Sequence, residues 1–163
     1  FIMLYIFDLD HTVIDSSHRQ ITRADGSLDL DAWRLNCTKK QINRDSLLPL
    51  ARFMRRAIAD PNTQTAICTA RVLSKHDYNF LSQKSLITDY ILARFDGDNR
   101  ADHEMKYSKI WNLLISLKIP RARWRSSVCL LDDNQSVLTM ANDRLKISTI
   151  DTIAKNQELL KNA

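Results

Sequence analysis

Glycine and proline are scarce, two and three in a chain of 163 residues, which argues against long flexible linkers. No apolar stretch is long enough to span a bilayer. No segment repeats and none is of low complexity. The length suffices for one domain with a real core and not for two ordinary ones. Cysteine is also sparse. Cys37, Cys68 and Cys129 are odd in number and lack paired spacing, against a disulfide framework or a zinc site. Cys68 and Cys129 sit in apolar runs and are expected to be buried, reduced thiols, which points to a reducing, cytoplasmic setting. The first apolar run is broken at once by Asp8 and is not read as a signal peptide. Met3 is the expected native start, with Phe1 and Ile2 as additions.

What is present is an apolar content normal for a soluble globular protein and a net charge of +5. That charge is modest. If Asp8, Asp10, Asp132 and Asp133 share one site, the remaining surface is more basic and suits a phosphate-rich partner.

Short β-prone runs recur: 3–7, 63–69, 89–93, 127–131 and, more weakly, 146–150. Strands apolar on both faces predict a parallel sheet covered by helices. Helical patterns fill the gaps. "DSLLPLARFMRRAIAD" offers Asp45 as N-cap, with Pro49 in the first turn. "SKHDYNFLSQ" offers Ser74 and Asp77 as a capping box. "DHEMKYSKIWNLLISLKI" spaces Met105, Ile110, Trp111, Leu114 and Leu117 helically, and "NQSVLTMANDRL" follows the fourth strand. The alternation predicts a three-layer, Rossmann-like α/β domain over 1–163. The polar stretch 15–44 breaks it. Its "ADGS" turn and Leu28, Leu30, Trp33 and Leu35 predict a small, partly packed flap inserted after the first strand. "RARWR", if extended, sets Arg121, Arg123 and Arg125 on one side and Trp124 on the other. A loop with Trp124 packed inward is the favoured reading.

In an open parallel sheet, ligands bind at the carboxyl ends of the strands. Asp8, Asp10 and Thr12 follow strand one, Thr69 and Arg71 follow strand two, and Asp132 and Asp133 close strand four. Lys106 lies early in the preceding helix, with Lys109 a competitor for its role. Clustered carboxylates at a buried edge are costly unless something neutralises them. A hard cation such as Mg²⁺ does so while keeping waters and a substrate phosphate. Lysine and threonine can hold further phosphate oxygens. One carboxylate is then free to attack phosphorus and a second to move protons.

"FDLDHTV", "ICTAR", Lys106 and "CLLDD" resemble, in order, the four motifs of the haloacid dehalogenase (HAD) superfamily of phosphohydrolases, over about residues 3–150. Within it, "NRADHEMKYSKIW" and "LLDDNQSVLTM" are similar to the 3′-phosphatase domain of bacteriophage polynucleotide kinase. The resemblance implies roles. Asp8 would be nucleophile and metal ligand. Asp10 would be general acid/base, with its backbone carbonyl on the metal. Thr69 and Lys106 would bind the phosphoryl group. Asp132 would ligate Mg²⁺, with Asp133 supporting it directly or through water. Thr12, Arg71 and Arg100 would contact substrate. His11 stands where the family usually has glycine, which narrows the entrance. No kinase P-loop occurs, so no 5′-kinase activity is expected.

The leading expectation is an Mg²⁺-dependent phosphomonoesterase acting through an aspartyl-phosphate. A 3′-phosphate end of nucleic acid ranks first, because a small flap leaves the crevice open, and a free deoxynucleotide second. No membrane and no obligate protein partner are inferred. A phospho-receiver domain also combines acids, Thr/Ser and Lys on a parallel sheet, but its adjacent acids come at the first strand, the reverse of the order here. A non-catalytic nucleic-acid-binding relative has only His11 in its favour.

Overall fold

A computed structural model describes residues 3–163. The expectation about Phe1 and Ile2 lies outside them. Five parallel strands form the centre in the order β5-β4-β1-β6-β7. They are β1 (Met3–Phe7), β4 (Thr63–Thr69), β5 (Tyr90–Ala93), β6 (Val128–Asp132) and β7 (Ser148–Asp151), while β2 (Ile14–Asp15) and β3 (Ser46–Leu47) form a separate antiparallel ladder. β1 is the middle strand, with Phe7 opposite Ile67 on one side and Leu131 on the other.

The strands are apolar on both faces, as a parallel sheet requires. Leu4, Ile6, Cys68, Val128 and Leu130 point to one face, against helices α5 (Asp102–Ser116), α6 (Trp124–Ser127) and α7 (Gln135–Met140). Phe7, Ile67, Cys129 and Leu131 point to the other. There they meet α3 (Leu50–Ala59), α4 (Lys75–Gln83) and α8 (Thr152–Lys161). Among the described residues no helix is long and apolar enough to cross a membrane.

Ser74 and Asp77 form the capping box that opens α4. Asp45 does not cap α3, because Ser46 and Leu47 are drawn into the ladder with β2 and the helix starts only at Leu50. Instead the Leu50 N–H donates to Asn156 Oδ1 of α8 at 2.9 Å. "RARWR" is not extended: Arg121–Arg123 form a 3-10 turn leading into α6, with Trp124 buried. α7 ends in a π-type turn over Ala141–Leu145 that the helical pattern had absorbed.

The segment 15–44 holds several short elements. A 3-10 turn at Ser17–Arg19 leads to a bridge between Thr22 and Leu28 around Gly26, whose φ of +85° suits glycine. Helices α1 (Leu30–Leu35) and α2 (Lys39–Ile42) follow, capped by Asp29 and Thr38. Ile42 is buried in the core beside α4.

Candidate active site

The loop after β1 is built by hydrogen bonds rather than by glycine. The Asp8 N–H donates to Leu131 O at 2.9 Å, tying the loop to β6. Leu9 O accepts from the N–H groups of Thr12, Val13 and Ile14. The tight turn forces His11 to φ +64°, in the left-handed region that favours glycine. Helix α8 supports the turn from behind. Thr152 Oγ1 donates to His11 O at 3.3 Å, and Asn156 Nδ2 donates to Thr12 O at 3.0 Å.

Asp8, Asp132 and Asp133 gather at the carboxyl ends of β1 and β6, with one oxygen of each within 4.8 Å of the others. Lys106, buried on α5, donates to Asp8 Oδ1 at 2.9 Å and to Asp132 Oδ2 at 2.7 Å. The Asn134 N–H donates to Asp132 Oδ1 at 2.9 Å. One ammonium faces three carboxylates, so negative charge is in excess. Burial pushes Asp8 well above the usual carboxylate range despite Lys106, and Asp132 and Asp133 push it further. Burial also raises Asp133. For Lys106, burial favours the neutral amine, but Asp8 and Asp132 outweigh it and hold the charge. This dense set of hard oxygen donors with surplus negative charge fits Mg²⁺.

Asp10 does not point into that cluster. Arg71 grips it in a fork, Nε to Oδ2 at 2.6 Å and Nη2 to Oδ1 at 2.5 Å, and Ser16 Oγ donates to Oδ1 at 2.5 Å. Burial alone would raise Asp10, but Arg71 and then Ser16 outweigh it and hold the carboxyl below its usual range.

Arg71 is itself held. Its Nη1 donates to Asp77 Oδ1 at 2.8 Å, the aspartate of the capping box, and its N–H donates to Thr69 Oγ1 at 3.1 Å. Thr69 thereby keeps its hydroxyl proton for a ligand. Beneath the flap, Arg19 makes a second fork to Asp45, at 2.9 and 2.8 Å, and Trp33 stacks over both guanidiniums, at 4.3 Å from Arg19 and 5.5 Å from Arg71.

Three expected substrate contacts therefore read differently. Thr12 is fully buried and meets Asp8 Oδ2 and Thr152 rather than the crevice. Arg71 lines the crevice, but three of its five N–H donors go to Asp10 and Asp77. Arg100 lines the crevice, but its guanidinium is forked onto Asp98. Lys109 lies over the Phe95 ring at 3.6 Å, away from the acids. Sequence reasoning missed Ser16, Arg19, Gln20, Asp45, Thr152 and Asn156. The last pair lies four residues apart on α8, in a segment with no helix among the sequence expectations.

All this surrounds one crevice of about 670 Å³. Its floor is Asp8, Thr69, Lys106 and Asp132, and its flap-side wall is Leu28, Leu30 and Trp33. Acids at the end of the middle strand, a lysine from α5 and an insertion after β1 define the class: a HAD-superfamily fold. Solved structures agree at the level of fold. A HAD-superfamily hydrolase of subfamily IA from Geobacter sulfurreducens superposes with a TM-score of 0.65 at 11% identity, over 98% of this chain and 96% of its own. A chain of the Pnkp1/Rnl/Hen1 complex gives 0.63 at 20% identity, over 92% of this chain and 45% of its own.

The family described as Bacteriophage T5 5′-deoxynucleotidase matches residues 1–162, and the chain belongs to it. The 5′-deoxynucleotidase of Escherichia phage T5 is 44% identical over 84 residues, 50% of this chain and 34% of that protein. The match thus spans about a third of the curated relative's length.

Proposed function

We propose that this chain is an Mg²⁺-dependent phosphomonoesterase acting on deoxynucleoside 5′-monophosphates through an aspartyl-phosphate on Asp8. The observation that carries it is the convergence of Asp8, Asp132, Asp133 and Lys106 on one crevice, in a chain of this family. Family membership moves the nucleotide ahead of the 3′-phosphate end. The crevice suits a small ligand in size. It also sets an apolar wall with Trp33 opposite the polar floor, as a base and a phosphate at opposite ends of one ligand require.

Asp8, Asp132 and Asp133, with the Asp10 carbonyl, would hold Mg²⁺, which when bound neutralises the acids and phosphate oxygens. Lys106 orients Asp8 and carries positive charge toward the phosphoryl group, and the Thr69 hydroxyl donates to it. An Asp8 oxygen bonds to phosphorus as the ester oxygen leaves with its electron pair and takes a proton from Asp10, which must be protonated for this first step. Water then attacks the aspartyl-phosphate, and Asp10 takes its proton, releasing inorganic phosphate and restoring Asp8. Asp10 is ionised in this arrangement and set as a base. To protonate the leaving oxygen it must first hold a proton, so Arg71 must release one carboxylate oxygen.

The open crevice keeps a polymer end as the second reading. A phosphate-release assay with Mg²⁺ separates them, using deoxynucleoside 5′-monophosphates and oligonucleotides phosphorylated at the 3′ or the 5′ end. Release from mononucleotides is expected. Release from 3′-phosphorylated oligonucleotides alone would overturn the choice, and release from none would overturn the activity.

A further inference from the structure

His11 adopts a left-handed backbone conformation that strains an L-residue and not glycine. The His11 ring Nε2 lies 3.1 Å from Gln20 Oε1. Gln20 Nε2 lies 2.9 Å from Ser16 Oγ, and Ser16 Oγ lies 2.5 Å from Asp10 Oδ1.

The directions follow from the chemistry. Asp10 as a carboxylate only accepts, so the Ser16 hydroxyl must donate to it. Ser16 then needs a donor of its own, which only the amide nitrogen of Gln20 supplies. Gln20 Oε1 is left to accept from His11 Nε2–H. Turning the amide round would set oxygen against oxygen at Ser16. Every donor in the chain therefore points toward Asp10. Ser16 is fully buried, so water does not compete at the last link.

We propose that His11, Gln20 and Ser16 form a directed hydrogen-bond relay that positions the Asp10 carboxylate for proton transfer, and that this is the role of a histidine at a glycine-favouring position. The inference rests on the phosphomonoesterase reading. Arg71 grips Asp10 from the body of the fold and the relay from the flap root, so the carboxylate is fixed from two sides. His11 and Gln20 also line the crevice, and a direct contact with substrate is the rival role.

Steady-state kinetics on a deoxynucleoside 5′-monophosphate with Mg²⁺ distinguish the two, run beside thermal unfolding of the same proteins. In His11→Gly and Gln20→Leu, kcat should fall about tenfold, a part of the roughly 10²–10⁴ that a positioned acid/base supplies, with KM unchanged. Gln20→Glu keeps the acceptor for His11 but has no N–H for Ser16, and should match Gln20→Leu. Ser16→Ala should lose at least as much. The His11→Gly, Gln20→Leu double variant should lose no more than the worse single one, because both break one chain. His11→Gly should melt no lower than the parent, since the strained φ is relieved. A rise in KM with kcat intact would overturn the relay in favour of substrate contact. Losses that multiply in the double variant, or an unchanged kcat, would overturn it outright. A parent inert on every phosphomonoester would bring down the activity and the relay together.

Discussion

Arg19→Met should destabilise the protein sharply although Arg19 touches none of the reacting groups. Arg19 and Asp45 are 1% and 0% exposed in their side chains and share two hydrogen bonds. Removing the arginine leaves a buried carboxylate without its fork, and breaking such a pair costs about 3–5 kcal/mol. Asp45 keeps His18 Nε2 at 2.8 Å and Arg71 at 3.7 Å, which places the cost near the lower figure, about 3 kcal/mol. For a chain of this size each kcal/mol moves Tm by about 2–4 °C, so a fall of about 6–12 °C is expected. Circular dichroism melts at pH 7 measure it. Arg19→Met, Asp45→Leu should recover much of the loss, because it removes the buried carboxylate that the single variant leaves without its fork. A fall below about 2 °C, or a double variant as unstable as the single one, would show that the fork does not hold the flap root.

Asp8→Asn should abolish phosphoenzyme formation and turnover together, read by radiolabelled phosphate retained on the protein. Asp10→Asn should keep metal binding through the backbone carbonyl and lose about 10²–10⁴-fold in kcat. Equal activity in both variants would refute these roles. Asp132→Asn should raise the Mg²⁺ concentration needed for half-maximal activity, and an unchanged Mg²⁺ titration would remove Asp132 from the metal site. Because folding raises the Asp8 and Asp133 pKa values, their contribution to stability is complete below the ordinary carboxylate pKa of about 4 and is lost as pH climbs through the folded values. Without metal, Tm should therefore drop as pH rises above about 4, and the gain in Tm on adding Mg²⁺ should grow over the same range. A gain independent of pH would contradict the shared charge.

The sheet was legible because burial on both faces leaves uninterrupted apolar runs. The expected strands at 3–7 and 63–69 match β1 and β4 residue for residue, and those at 127–131 and 146–150 are off by one or two residues. The acids and Lys106 could be placed because each follows such a run or opens the helix between two. The partners of those residues were not legible. Nothing local links Arg19 to Asp45, which lie 26 positions apart, or Asn156 to Leu50, which lie 106 apart. Asp45 looked like a cap because caps and buried ion-pair partners use the same residue type. The carboxylates that hold Arg71 were not legible either, because sequence shows that a guanidinium is near a site and not what it pairs with.

The middle position of β1 also shapes how the chain comes together. Leu4 pairs with Val128 across more than half the chain, so contact order is high and folding slower than for helical proteins of this size. At about 5–20 residues per second of synthesis, β1 leaves the ribosome roughly 6–25 s before β6. For that time one of its edges lacks its native neighbour, a hazard for intermolecular pairing. Asp8 and Asp10 bound that run on its C-terminal side, where charged residues act as gatekeepers against aggregation. The two acids that guard the strand while it waits are the ones that line the crevice once the sheet has closed.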